Sequence, residues 1–430
     1  MRILFVCHRI PYPPNKGEKI RAFHQLRAIA ARHEVDLFTL ADDPDDLIHR
    51  ETLAAHCRSV TVAGITPKLA RIRALPYLLT RTPLTVPYFY SAALQQQLSE
   101  QVALREYDRV FVYCSAMAQY VDWKNRAYRS AFAPRAVRPV PIVLDMVDVD
   151  SNKWAQYADA TTFPFSMVYA KEARDLRRYE ARSCEAAECV VVSTQREAQL
   201  ARQIAPLSRV HVVPIGVDSA HFDIDRDRLQ PPDPAVVFTG DMSYFPNVEG
   251  AVFFAREVLP LIHRELPQVR FLAVGRNPDR RVQELRKLPQ VTVTGSVPDV
   301  RPWLAQAAVT VVPLRIAAGI QTKILEAMAA GLPVVATSRA VQGLTASVAE
   351  MVSIGESPAD LAARVVALLR DPALARRRGL ESRRRVSTEY SWDTALHRLL
   401  HLLERPDAEP ADAESTAFAS GVPSAHAVGE

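Results

Sequence analysis

The stretch V-T-V-V-P-L-R-I-A-A-G-I-Q-T-K-I-L-E-A-M-A-A-G-L-P-V-V-A-T, residues 309–337, reads as strand, loop, helix, strand. Val309–Val312 is a short β-branched run of the kind that forms a buried strand. Pro313 closes it, because proline cannot continue a central ladder. Gly319 is expected to open a helix whose apolar positions, Ile324, Leu325, Met328 and Ala329, fall at helical spacing. Gly331 and Pro333 end that helix, and residues 332–336 form the next strand.

The turn at 318–321 puts backbone N–H groups at a helix N-terminus, where they attract an anion, phosphate above all. Lys323 adds a point charge. Glu326 lies one turn further on and can accept hydrogen bonds from vicinal hydroxyls such as those of a ribose. Phosphate donors followed by a diol acceptor suggest a nucleotide diphosphate. An ordinary βαβ unit with a surface Lys–Glu pair fits the same residues.

Size and composition bound the rest. A chain of 430 residues is too long for one ordinary core, so two domains are expected. With 48% apolar and 23% charged residues the composition is that of a soluble globular protein. A net charge of +5 is too weak to indicate nucleic acid. The five cysteines, Cys7, Cys57, Cys114, Cys184 and Cys189, are odd in number and include no CxxC pair. That suits a reducing cytosol and argues against structural zinc. No run approaches the ~18 apolar residues of a membrane span, and the chain starts directly on a strand, with no signal-peptide apolar region. A cytoplasmic location is expected.

Along the first half, residues 2–7 read as a strand and 18–31 as a helix. The loop between them, H-R-I-P-Y-P-P-N-K-G (8–17), is stiffened by proline, and Gly17 permits close backbone approach. Lys16, Lys19 and Arg21 make its end basic. It is either a phosphate or acceptor site or a rigid interdomain loop. Strands at 35–40, 60–63, 109–113, 141–146, 189–193 and 209–214 alternate with polar or helical stretches, including a charged helix at 165–187. Such alternation predicts a parallel sheet with ligands beyond its carboxyl ends. At one such end, D-M-V-D-V-D-S (145–151) offers three carboxylates that cap the next helix, contact an acceptor or serve as a base, or bind a divalent metal. Residues 68–90 mix Lys68, Arg71, Arg73 and Arg81 with leucines and aromatics. They suit an interfacial segment on anionic lipid, or a partly buried loop capping the first domain.

A polar, proline-bearing stretch at 223–234 follows I-G-V-D (215–218) and marks the domain boundary. The second half repeats the pattern with strands at 235–239, 269–274, 291–294, 309–312 and 333–336. Gly240, Gly275 and Gly295 follow three of them, and a missing Cβ there lets a nucleotide pack on backbone. Arg276 is placed to meet phosphate and Val297 to meet a base. Helices are expected at 361–369, 374–386 and 392–403. The arginine triplets at 376–378 and 383–385 form a solvated face or meet an anionic surface. Residues 408–430 have the composition of a disordered tail.

At this point the chain resembles the retaining glycosyltransferases of the two-Rossmann-domain GT-B architecture, the group 1 or family 4 type. The likeness spans about residues 1–404 and rests on K-x-x-E-A-M-A-A-G-L-P-V-V-A (323–336), V-V-P-I-G-V-D-x-x-x-F (212–222), V-G-R (274–276), G-S-V-P-D-V-R-P-W-L (295–304) and Y-S-W-D (390–393). F-T-G-D-M-S-Y-F-P-N (238–247), G-I-Q-T-K (319–323) and D-x-x-D-V-D-S (145–151) resemble a bacterial subgroup that accompanies PEP-CTERM/exosortase sorting and exopolysaccharide loci.

The resemblance implies an α/β fold with two parallel-sheet domains facing across a cleft. It implies an acceptor domain at 1–214, a donor domain at 215–390, a helix at 391–404 crossing back to the first domain, and a tail at 405–430. Glu326 would hold the donor ribose. Gly319, Ile320 and Gln321 would meet sugar and phosphate through backbone groups, and Lys323 would pair with the diphosphate. Gly17 would lie against the same phosphates from the first domain, with Gly240, Arg276 and Val297 completing the donor site. Neither a metal nor a cofactor is implied; a nucleotide-diphosphate sugar is the donor and a glycan or lipid-linked glycan the acceptor, with peripheral contact at the inner membrane. Three departures bear on this. Ala318 stands where many relatives carry the first Glu of an E-x7-E pair. Asp241-Met242-Ser243-Tyr244 replaces a common Arg and Lys, and Ile215 a common Asn. A first-domain histidine common in relatives is not evident, so Asp148 or Asp150 is placed in that neighbourhood. A non-catalytic nucleotide-sugar or glycan-binding protein, or a sugar-nucleotide epimerase of the same architecture, are the alternatives. A nicotinamide oxidoreductase is disfavoured because no G-x-G-x-x-G follows a strand.

Overall fold

The computed structural model describes residues 1–14, 17–121, 140–224 and 233–405. Lys16, the linker-like residues 225–232 and the tail from 406 onward lie outside the described residues.

Among the described residues thirteen strands form two sheets, parallel throughout. The first holds β1 (Arg2–Cys7), β2 (Glu34–Ala41), β3 (Ser59–Gly64), β4 (Arg109–Tyr113), β5 (Ile142–Val147), β6 (Cys189–Val192) and β7 (Val210–Val212), in the order β3-β2-β1-β4-β5-β6-β7. The second holds β8 (Ala235–Thr239), β9 (Arg270–Val274), β10 (Val291–Val293), β11 (Val309–Val312), β12 (Val334–Ala336) and β13 (Ser353–Ile354), in the order β10-β9-β8-β11-β12-β13. Each is a doubly wound sheet whose order reverses beside its first strand, and a ligand crevice opens there at the carboxyl ends. In the first sheet that point is β1/β4, and in the second β8/β11. The near-continuous apolar runs of β1, β4, β8 and β11 suit strands covered by helices on both faces.

The decisive stretch folds as read, with one shift. The helix begins at Thr322 rather than Gly319, because Gly319 adopts φ +59 and so cannot lie in a right-handed helix. The helix Thr322–Ala329 ends in a Schellman motif: Gly331, at φ +72, donates to the Met328 carbonyl at 2.9 Å and Leu332 to that of Ala327 at 2.9 Å. The sequence reading did not place several first-lobe helices, the longest being Ala92–Leu104 and Gln195–Ile204. Their start signals are ordinary caps, Ser91 accepting from the Leu94 N–H and Thr194 from the Glu197 N–H. The strand β13 was also unanticipated; at two residues it is too short to show a period.

The basic residues after the first loop do not face outward. Lys19 is buried against Asp46 at 2.7 Å. Arg21, 1% exposed, places Nε 3.0 Å and Nη2 2.9 Å from one oxygen of Asp145 and donates through Nη1 to the Val213 carbonyl at 2.7 Å. Gln25 and the Val147 N–H also donate to Asp145, which is fully buried. One ion pair therefore ties the helix Gly17–Ala30 to β5 and to the chain just after β7.

The helix Trp392–Glu404 leaves the second lobe and completes the core of the first, where it packs on the helix Gly17–Ala30 and buries Ala395, Leu399, Leu402 and Leu403. Its first residue stacks on His24, ring centroids 4.1 Å apart. Gly216 of the I-G-V-D motif is there for space: a Cβ on it would fall 2.5 Å from the Trp392 ring. The Val217 N–H donates to the Tyr390 carbonyl beside it at 2.8 Å.

Replacing Asp145 by Ala strands a buried guanidinium, so chemical denaturation should show a loss of about 3–5 kcal/mol. A change below about 1 kcal/mol would show that the pair does not hold the first lobe together.

Candidate active site

The crevice of the second sheet gathers most of the expected donor residues. Gln321 caps the helix Thr322–Ala329 without a side-chain hydrogen bond to its first turn. The backbone N–H groups of residues 320–323 have no acceptor among the described residues, so the helix N-terminus is open to an anion. Lys323 Nζ lies 3.1 Å from Asn247 Oδ1 and 3.3 Å from Gln321 Oε1, both neutral acceptors, and 5.7 Å from the Phe238 ring centroid. Burial holds its pKa down at about 8, with Glu326 pulling the other way. Glu326 is half-buried, and no side-chain hydrogen bond is made to it among the described residues. Burial raises its carboxyl above the usual range, opposed by Lys323.

Asn247 and Asp241 build the other wall. Asn247 Nδ2 donates to the Asp241 carbonyl at 3.0 Å, and the Asp241 carboxylate accepts from Arg276 Nε at 3.1 Å. Arg276 is thus partly committed; its Nη2 is buried with no protein partner among the described residues, and burial lowers its pKa, assisted by the charge of Arg9 across the cleft. Gly240 has a packing reason to be glycine. A Cβ on it would sit 2.7 Å from Asn247, and one on Gly275 would sit 1.6 Å from the Gly240 carbonyl oxygen. Val297 follows the edge strand β10 and is half-buried against the second core.

The first lobe meets this turn directly. Gly17 faces Thr322, whose Cγ2 is 3.5 Å from where its Cβ would be. Asp148 presses on Gly319, so a Cβ there would fall 2.2 Å from its Oδ1. Glu197, 1% exposed, accepts from the Val149 N–H at 2.6 Å and from the Gly319 amide. Gly319 therefore gives its N–H to a carboxylate of the protein and not to a ligand, and Ile320 and Gln321 keep theirs. Asp148 accepts from Ser193 Oγ at 2.8 Å, yet burial raises its pKa. Burial and the neighbouring Asp148 charge push Glu197 up to about 7. The three carboxylates of residues 145–151 are split: Asp145 pairs with Arg21, Asp148 turns to the cleft, and Asp150 pairs with Lys153.

From Asp150 the helix Asp150–Ala160 carries an aromatic cluster out of the cleft. Trp154 packs on Tyr157 and Tyr169 at 5.5 and 5.3 Å, and Tyr157 reaches Phe245 of the second lobe at 5.7 Å. Sequence reading missed Arg9, Glu197, Asn247 and this cluster. Asn247 closes the quoted F-T-G-D-M-S-Y-F-P-N, and Glu197 lies three past the cap Thr194. Two surface concavities of about 350 Å³, one lined by Leu259 and His263 and the other by Phe38 and Thr61, contain none of these residues.

Residues 233–371 match the family described as "Glycosyl transferases group 1". No curated protein matches the chain. Among solved structures it is similar to HepE of Anabaena, solved with UDP and glucose: TM-score 0.64 and 15% identity, covering 94% of this chain and 99% of that one. It is also similar to a glycosyltransferase from Rickettsia africae, with TM-score 0.58 and 12% identity over 94% and 98%. The N-terminal domain of a trehalose-6-phosphate phosphatase from Candida albicans matches with TM-score 0.61 and 12% identity over 94% and 96%. Fold and family match define the class, a glycosyltransferase of GT-B architecture. Lys323 and Glu326 lie within the residues that match the group 1 family.

Lys323 is charged below about pH 8 and neutral above it. If it grips a diphosphate, nucleoside diphosphate affinity should fall about tenfold between pH 7 and pH 9, following the protonated fraction. Lys323→Arg, which stays charged, should flatten that profile. Calorimetric titration across the range checks it, and a flat wild-type profile would remove Lys323 from the anion site.

Proposed function

We propose that the protein moves a sugar from a nucleotide-diphosphate sugar to a glycan or lipid-linked glycan acceptor, with retention of anomeric configuration and without a metal. The observation that carries this is the open helix N-terminus at residues 320–323 with Lys323 beside it and Glu326 one turn on, at the switch point of a doubly wound sheet. The amides, Lys323 and the free Nη2 of Arg276 would stabilise charge developing on the departing diphosphate. Glu326 would accept from the ribose hydroxyls. HepE has been solved with UDP-glucose, which makes that the first donor to try.

Residues 1–214 would hold the acceptor and 215–390 the donor. The half-exposed rings of Trp154, Tyr157 and Tyr169 offer apolar faces suited to an acceptor sugar beside Asp148. Asp148 is the first-lobe group best placed to act on an acceptor hydroxyl, since it reaches the Gly319 turn and carries a raised pKa. Five buried, free cysteines support a reducing, cytoplasmic setting. Assembly of exopolysaccharide or another cell-surface glycan, alongside PEP-CTERM/exosortase sorting, rests on the motifs at 145–151, 238–247 and 319–323.

The test is donor turnover. Release of nucleoside diphosphate from a panel of nucleotide sugars should identify one productive donor. Lys323→Ala should lower that rate by roughly 10²- to 10³-fold while leaving the thermal midpoint unchanged. Binding without turnover on every donor would favour a non-catalytic nucleotide-sugar protein, and isomerised sugar without acceptor would favour an epimerase.

A further inference from the structure

Between Glu51 and Glu100 the chain contains no acidic residue. Within that span the helix Pro67–Ala74 runs into the 3-10 turn Leu75–Leu79, and the two are folded inside out. Ala70 and Ala74 are buried, whereas Leu69, Ile72, Leu75 and Leu79 are 65%, 61%, 56% and 94% exposed. Their spacing of three, three and four residues places them on one face. Lys68 and Arg71 on the helix and Arg81 just beyond are exposed and have no ion-pair partner among the described residues.

The segment is tied down. Buried Glu172 of the helix Phe165–Ala186 accepts from the Leu84 N–H, the Thr85 N–H and the Thr85 hydroxyl at 2.5, 2.9 and 2.6 Å. Arg73 donates to the carbonyls of Pro87 and Tyr90. The leucines are therefore held outward by a fixed backbone. Four large aliphatic side chains fixed in water, with Lys68, Arg71 and Arg81 beside them in the same segment, present an interaction site.

We propose that this face docks the protein on an anionic lipid bilayer, with Leu69, Ile72, Leu75 and Leu79 in the acyl boundary and Lys68, Arg71 and Arg81 among the headgroups. The charge pattern selects this occupant. An interfacial helix of this kind lies in the membrane plane, its cations adding attraction to acidic lipid. A second copy is a poor fit, because two-fold pairing would set the same basic residues against each other. The inference is independent of sugar transfer, since the face recognises a lipid surface whether or not the cleft turns over.

Co-sedimentation of the full chain with phosphatidylcholine vesicles, with and without phosphatidylglycerol, tests it. The wild type should partition at least roughly tenfold better onto the anionic vesicles, and raised salt should erode that preference. Ile72→Glu with Leu75→Glu, at exposed positions, should keep the thermal midpoint and abolish sedimentation. Lys68→Gln with Arg71→Gln should remove most of the anionic preference by itself. Equal sedimentation of wild type and the double-Glu variant would overturn the proposal. So would no vesicle binding at all, including the case where the wild type is a dimer that the double-Glu variant dissociates.

Discussion

Everything in the cleft turns on how closely two lobes approach one backbone unit. Gly319 sits at φ +59 with Asp148 where its Cβ would be and Gly343 against its carbonyl, a Cβ on which would lie 2.2 Å away. No side chain fits that position, and only glycine takes that conformation without strain. Because the turn is pinned on both sides, the helix after it starts at a fixed point and in a fixed direction. The open amides, Lys323 and Glu326 inherit their positions from it.

Charge is divided across that contact. The second lobe supplies cations and unpaired amides in the crevice beside β8 and β11, and the first lobe supplies the carboxylates Asp148 and Glu197, both held above their ordinary pKa. Burial shifts such an acid toward its neutral form, which lessens its repulsion of a neighbouring diphosphate. Arg9, tied to Glu18 and Asp42, adds a first-lobe cation near Arg276. Asn247 and Asp241 link the second-lobe cations through neutral and acidic partners. Lys323 is left with neutral acceptors alone, which is the state of a cation awaiting an anionic ligand.

The fold was legible because a doubly wound sheet writes itself as apolar runs separated by helical stretches, and twelve strands read at their places need little else. The turn at 318–321 was legible for the same reason, since Pro313, Gly319 and Gly331 punctuate it. What sequence could not supply was direction. Arg21 and Asp145 both looked like cleft residues in a basic loop and an acidic cluster, yet they are 124 positions apart and neutralise one another inside the first lobe. Glu197 was missed because nothing local announces that Gly319 will lie over it. Gly240 looked like a nucleotide contact, whereas Asn247 already fills the space beside it. Pairings across lobes have no sequence period, so they appear only once both sheets are placed.

The returning helix Trp392–Glu404 has one more consequence, for the order in which the protein is made. Translation finishes all of the second sheet before residues 395–403 emerge to plug the first. The earlier lobe must wait on the ribosome with an apolar gap along its helices until the later lobe has been synthesised. Assembly of the catalytic groove is therefore coupled to completion of that final helix, and nascent chains stalled before it carry an unsealed hydrophobic seam.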